Sequence, residues 1–263
     1  MADVANRPVH LCFDRIVPFH QKVAAAALSV TENKDNHPPM TFLPGVSAHP
    51  LKMALVTGKK WAVGRKLGVK FLDGSAVQRK KTQQFAETWE AFANVDFDFS
   101  AKGAAAGDIR ISFVADDGSW SAVGTDCLLA DAFPKNEPTM NFGWLRDDTD
   151  DVEWRRVVVH EFGHALSAIH EHQNPKGGIK WDVAAVYKYF SGPPNNWSKE
   201  EIDHNVIQKY SITQLNATTF DPDSIMLYSF PPELTLDHKG TKENTDISAG
   251  DKKFIAKMYP KKK

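Results

Sequence analysis

The run His160-Glu161-Phe162-Gly163-His164 holds the residues of this chain best spaced to do chemistry. On an α-helix, side chains four apart lie about one turn along and nearly in line, so both imidazoles project from one face. Two ring nitrogens placed this way can each stand about 2.0–2.1 Å from a single zinc ion. Glu161, one step round, falls beside the metal, where a base would take a proton from metal-activated water. An HExxH run also arises by accident in helices, so the residues that follow it carry much of the argument. A zinc site needs a third protein ligand, and His170 follows at HExxHxxGxxH spacing. On a continuous helix His170 would lie about 15 Å further along the axis, so it reaches the same ion only where the helix stops and the chain doubles back. The reversal position holds Ser167 where glycine is usual. A left-handed backbone there costs a non-glycine residue on the order of 1 kcal/mol. His172 is a weaker alternative ligand on spacing, and a downstream carboxylate such as Glu200 or Glu201 is another. The remaining histidines, His10, His20, His37, His49, His204 and His238, are scattered and read as surface or hydrogen-bonded residues.

Further on stands Asp221-Pro222-Asp223-Ser224-Ile225-Met226-Leu227-Tyr228. Alone it is a turn followed by an apolar pair. Taken with the three histidines it resembles the metzincin zinc endopeptidases, with their HExxHxxGxxH run and Met-turn. Within them it is most similar to the astacin-like group, because Glu171 follows the third histidine, Ser224-Ile225-Met226 resembles a Ser-x-Met turn, and Tyr228 sits two residues beyond the methionine. The resemblance implies one catalytic Zn2+ on His160, His164 and His170, with Glu161 as general base and then proton donor. Met226 would be the hydrophobic floor, and Tyr228 a ligand at rest that turns to stabilise the tetrahedral intermediate. It implies that Asp108, Ile109, Arg110, Ile111, Ser112 and Phe113 form an exposed edge strand to which a peptide adds antiparallel. It also implies a twisted, mostly parallel sheet with an active-site helix, a catalytic domain over 41–263, an upper lobe to about 166 and a loop-rich helical lower lobe. The implied partner is a peptide or protein substrate, and secretion is the family's habit. The departures are Ser167-Ala168 for Gly-Phe, His172-Gln173-Asn174-Pro175 for the usual continuation, Leu227 for a histidine, and two cysteines in place of paired disulfides.

The elements that must position these groups are partly legible. Leu67, Val69 and Phe71 alternate as a half-buried strand, and Asp73-Gly74 marks a turn. Val77, Phe85, Trp89 and Phe92 predict a long amphipathic helix over 76–93. Strands are expected over 95–99, 108–114 and 140–145. The acidic run 147–151 lacks EF-hand spacing and reads as a helix cap, with Asp150 and Glu153 resembling a capping box. Helices are expected over 183–190, from Ser198 and from Ser248. Strands and a helix followed by loops and helices give an α+β chain. Residues 1–40 read as an N-terminal extension with a short helix over 21–31.

The chain's 263 residues fit one large domain or two small ones. Its 32 basic and 33 acidic residues leave a formal net charge of -1, which argues against a nucleic-acid or anionic-membrane binder. No apolar stretch approaches the roughly 20 residues of a transmembrane helix, and the start does not read as a secretory signal. A monomer is expected. Cys12 and Cys127 allow at most one disulfide, and two buried free thiols is the favoured reading. No clear latency segment stands out, and Cys12 in the extension is the candidate thiol for one.

Overall fold

The computed structural model describes residues 12–37, 58–115, 117–193, 195–209 and 219–262. Among these, six strands form one sheet: β1 (Cys12–Arg15), β2 (Lys66–Phe71), β3 (Asp96–Asp98), β4 (Ile109–Ser112), β5 (Ser119–Ala122) and β6 (Met140–Phe142). Their order is β1-β5-β6-β4-β2-β3. Every pairing is parallel except β5 with β6. The alternation in β2 places Leu67 and Val69 in the core.

The helices include α1 (Lys22–Glu32), α2 (Ala76–Ala86), α3 (Ala101–Ala106), α4 (Asp151–Ala165), α5 (Val183–Phe190) and α6 (Lys199–Ile202). A seventh, α7 (Ala249–Met258), closes the chain. Helix α4 is the axis of the molecule. Asp150 caps it by accepting from the Glu153 N–H, and Trp154, Val157, Val158, Val159 and Phe162 are buried around it. The capping box is only half formed, because the Glu153 carboxylate accepts from Trp144 and Arg156 instead. Complete boxes start α6 at Ser198 with Glu201 and α7 at Ser248 with Asp251. The region beyond α4 is made of short helices and loops, so the chain is α+β with a mostly parallel sheet.

Three expectations change. The segment Asp108, Ile109, Arg110, Ile111, Ser112 and Phe113 is not an edge. Its central strand β4 pairs with β2 on one side and β6 on the other. The Asp108 carboxylate accepts from the Gly68 N–H and Arg65, and the Arg110 guanidinium donates to the carbonyls of Gly107, Phe133 and Glu137. Alternation reports which face of a strand is buried and carries no information on its place in the sheet. The expected helix over 76–93 ends at Ala86 and gives way to a 3-10 turn, Glu87–Ala91. The N-terminal segment joins the fold: β1 adds to β5, and α1 packs on the 3-10 turn Gly124–Leu128. The expected boundary at residue 40 lies outside the described residues. Cys12 and Cys127 are both free and buried. No helix among the described residues is long and apolar enough to cross a membrane.

Candidate active site

Helix α4 carries His160 and His164 one turn apart, as their spacing requires, and both are buried. The helix then stops. The N–H groups of Leu166 and Ala168 both donate to the Gly163 carbonyl, and Ser167 takes the left-handed conformation with φ 71°. Its hydroxyl donates to the Lys59 carbonyl at 2.6 Å, a bond glycine could not make. That reversal returns His170 to the other two rings. The three Nε2 atoms stand 3.0, 3.1 and 3.3 Å apart.

The donor set fits a tetrahedral cation. Nitrogens at zinc-ligand distance from one ion would be separated by about 3.3 Å. The Nδ1 atoms of His160 and His164 lie 2.8 and 2.9 Å from the carbonyls of Ile225 and Ala168, to which they donate. Their Nε2 lone pairs therefore face one another. Burial pushes His160 and His170 well below the ordinary histidine range, with neighbouring imidazoles adding to it, which favours the neutral form a metal ligand must have at those two rings. Converging neutral lone pairs repel, and a shared cation relieves that repulsion. His172 is not part of the group. Its Nε2 donates to the Asn205 carbonyl at 2.8 Å, and burial lowers it to about 3. Glu201, weighed as an alternative ligand, is the capping partner of Ser198.

The turn at Met226 packs against helix α4. A Cβ on Gly163 would stand 2.4 Å from the Met226 sulfur, so the methionine as placed packs where the helix carries no side chain. Asp251 of α7 accepts from the Ser224 hydroxyl at 2.6 Å and the Ile225 N–H at 2.8 Å. The Glu171 N–H donates to the Met226 carbonyl, tying the turn to the residue after the third histidine. Sequence reasoning missed both Gly163 and Asp251, and the only available signal was the capping pattern at Ser248.

The other wall includes Glu161, Tyr228 and strand β1. Glu161 is fully buried, and burial raises its carboxyl well above the usual range. The Tyr228 ring lies 4.2 Å from that of His170, centroid to centroid, and its hydroxyl donates to the Cys12 carbonyl. The ligand atoms of Cys12, His160 and Glu161 lie within 4.8 Å of one another. Burial, then the neighbouring Glu161, raise the Cys12 thiol well above its ordinary value. Asp14, which the sequence did not single out, places carboxylate oxygens 3.2 Å from His164 Nε2 and 3.6 Å from His170 Nδ1. The strand therefore turns Cys12 and Asp14 onto the histidines.

No curated protein sequence matches the chain. Two solved structures of myroilysin do. One is 42% identical with a TM-score of 0.72, over 78% of this chain and 97% of that one. The other is 43% identical with a TM-score of 0.60, over 77% of this chain and 86% of that one. Residues 67–210, just over half of the chain, match the matrixin peptidase family and span the helix and all three histidines. The chain belongs to the matrixin family and is a zinc-dependent endopeptidase acting on peptide or protein substrates.

Proposed function

We propose that His160, His164 and His170 hold the zinc ion, that Glu161 is the general base and Tyr228 the oxyanion donor, and that Met226 is the floor of the site. The observation that carries this reading is the convergence of the three Nε2 atoms within 3.3 Å, beside a fully buried glutamate. A zinc ion bound there supplies a Lewis acid that polarises the scissile carbonyl and acidifies water. Glu161 accepts the proton of the attacking water at its carboxylate and delivers it to the leaving amine. Tyr228 turns its hydroxyl from the Cys12 carbonyl toward the developing oxyanion. The substrate lies antiparallel on β5, the strand now covered by β1.

Strand β1 runs parallel to β5, opposite to that substrate direction, and its Cys12 and Asp14 face the ligands. In this reading β1 is a latency strand and must leave before the site works. The order Glu171, Ser224-x-Met226, Tyr228, with Tyr228 against His170, supports an astacin-like site on this matrixin chain. The catalytic domain comprises residues 41–263. The near balance of charge gives no basis for a nucleic-acid or membrane partner, and the enzyme acts as a monomer.

Glu161→Gln tests the assignment. The variant is expected to keep one zinc per chain and to lose hydrolysis of a casein-like substrate by about 10²–10⁴-fold. Wild-type turnover with zinc retained would overturn the role of Glu161. Full zinc occupancy in His170→Ala would move the third ligand elsewhere.

A further inference from the structure

The last residue of β1 holds a contact that covering the histidines does not require. Side chains alternate along a strand, so if Cys12 and Asp14 point to the histidines, Arg15 points to the opposite face. There its guanidinium carbon lies 3.8 Å from the centroid of Trp120, on β5. Its Nη2 also donates to both carboxylate oxygens of Asp117 at 3.1 Å. Asp117 is in turn fixed by the Trp120 indole, which donates to its Oδ2 at 3.0 Å. The acid and the ring thus form a preset pair: a flat aromatic face with a carboxylate at its rim. Trp120 is fully buried, whereas the side chains of Arg15 and Asp117 are 43% and 40% exposed. The pair belongs to β5 and the residues leading into it, so it stays when β1 departs.

We infer that Asp117 and Trp120 form a substrate subsite for a basic side chain, arginine above lysine, which Arg15 fills while β1 is in place. This rests on the proposed reading that β5 receives the substrate. A peptide extended along β5 must also alternate, so one of its outward side chains passes over Trp120. A guanidinium meets both halves of the pair, stacking on the indole and spanning the carboxylate. An ammonium reaches the carboxylate as a point charge and loses the stack. Norleucine of similar length can lie on the ring but leaves the acid unanswered.

The test uses the full chain, folded with zinc and then freed of β1 by limited proteolysis. Peptides carry arginine, lysine, norleucine or glutamate in turn at each position around the cleaved bond. At one position kcat/KM is expected to favour arginine over norleucine by about three- to tenfold, with lysine between them. Asp117→Asn keeps an acceptor for the Trp120 indole, so the platform survives. It is expected to reduce the ratio of arginine to norleucine kcat/KM by about two- to fivefold. Equal rates for arginine and norleucine at every position, or a preference indifferent to Asp117→Asn, would overturn the subsite. The same peptides are titrated against zinc-loaded Glu161→Gln protein likewise freed of β1, so the subsite is read without turnover. Failure of the wild type to cleave any peptide, alongside an arginine-selective Kd in that variant, would sink the catalytic reading and leave the subsite standing. Equal Kd values for arginine and norleucine peptides would sink the subsite alone.

Discussion

Below the three histidines, Met226 rests against the bare backbone of Gly163, and Asp251 pins Ser224 and Ile225 from a helix at the far end of the chain. Above them, β1 is four residues long, held by pairing to β5, by the buried Cys12 and Asp14 side chains against the histidines, by one bond from Tyr228 and by a partly exposed contact from Arg15 to Asp117. Both layers touch the same imidazoles. The lower one is buried and close-packed, so removing any piece leaves a clash, a void or an unpaired polar group. The upper one ends in solvent, and its outermost ion pair is of a kind worth about 0–1 kcal/mol. A site built this way keeps its ligands fixed while its cover can leave. Local opening is expected to begin in the layer whose outer strand ends in solvent.

Tyr228 belongs to both layers, and its hydroxyl gives the largest expected effect. In the covered chain it donates to Cys12, and in the proposed reaction it donates to the oxyanion. Tyr228→Phe in the freed enzyme is expected to lower kcat by about 10²–10³-fold with little change in KM. In the full chain the same change is expected to raise the rate at which a maleimide labels Cys12, since one tie on β1 is gone. Unchanged turnover would confine Tyr228 to the cover.

A matched pair of substitutions sharpens the contrast between the layers. Gly163→Ala drives a methyl into the Met226 sulfur, and overpacking of this sort costs about 1–3 kcal/mol. Thermal unfolding is expected to fall by about 2–4 °C for each kcal/mol, with zinc affinity weakened as the turn is displaced. Arg15→Ala removes an exposed ion pair and a stacking contact from the roof. Tm is expected to stay within about 2 °C, while Cys12 labelling in the full chain rises about two- to fivefold. If Arg15→Ala lowered Tm as far as Gly163→Ala, β1 would be part of the permanent fold.

The helix that carries the first two histidines was readable from local pattern, and the strand above it was not. His160, Glu161 and His164 follow from helix geometry, and the caps at Asp150, Ser198 and Ser248 follow from side chains that bond three residues away. Those are short-range facts. Strand β1 shows no usable period in four residues, and its place beside β5 depends on a pairing across more than a hundred residues of chain. The edge strand was misplaced for the same reason: β4 alternates convincingly, but hydrogen-bond partners on both sides are a property of the sheet. Asp14 lacked a signal because its meaning comes from facing His164 and His170, which only the pairing of β1 achieves. Gly163 likewise takes its meaning from Met226, which packs against it from far along the chain.

Ser167→Gly gives the smallest expected effect and tests how the lower layer tolerates a residue the family pattern disfavors. Its φ of 71° strains a side chain with a Cβ by about 1 kcal/mol. Its hydroxyl regains about as much through the 2.6 Å bond to Lys59, whose carbonyl would otherwise lose that donor. Ser167→Gly relieves the strain and removes the bond together, so unfolding free energy is expected to change by less than about 0.5 kcal/mol. Ser167→Ala keeps the strain and removes only the bond, so it is expected to destabilise by about 1–2 kcal/mol. Denaturant midpoints for the two variants separate these contributions, with zinc content measured to confirm that His170 still reaches the site. If glycine stabilised the chain by more than 1 kcal/mol, the bond to Lys59 would be worth little, and the serine would be a tolerated flaw in an otherwise rigid floor. If alanine matched the wild type, the reversal would be held by the backbone bonds to Gly163 alone.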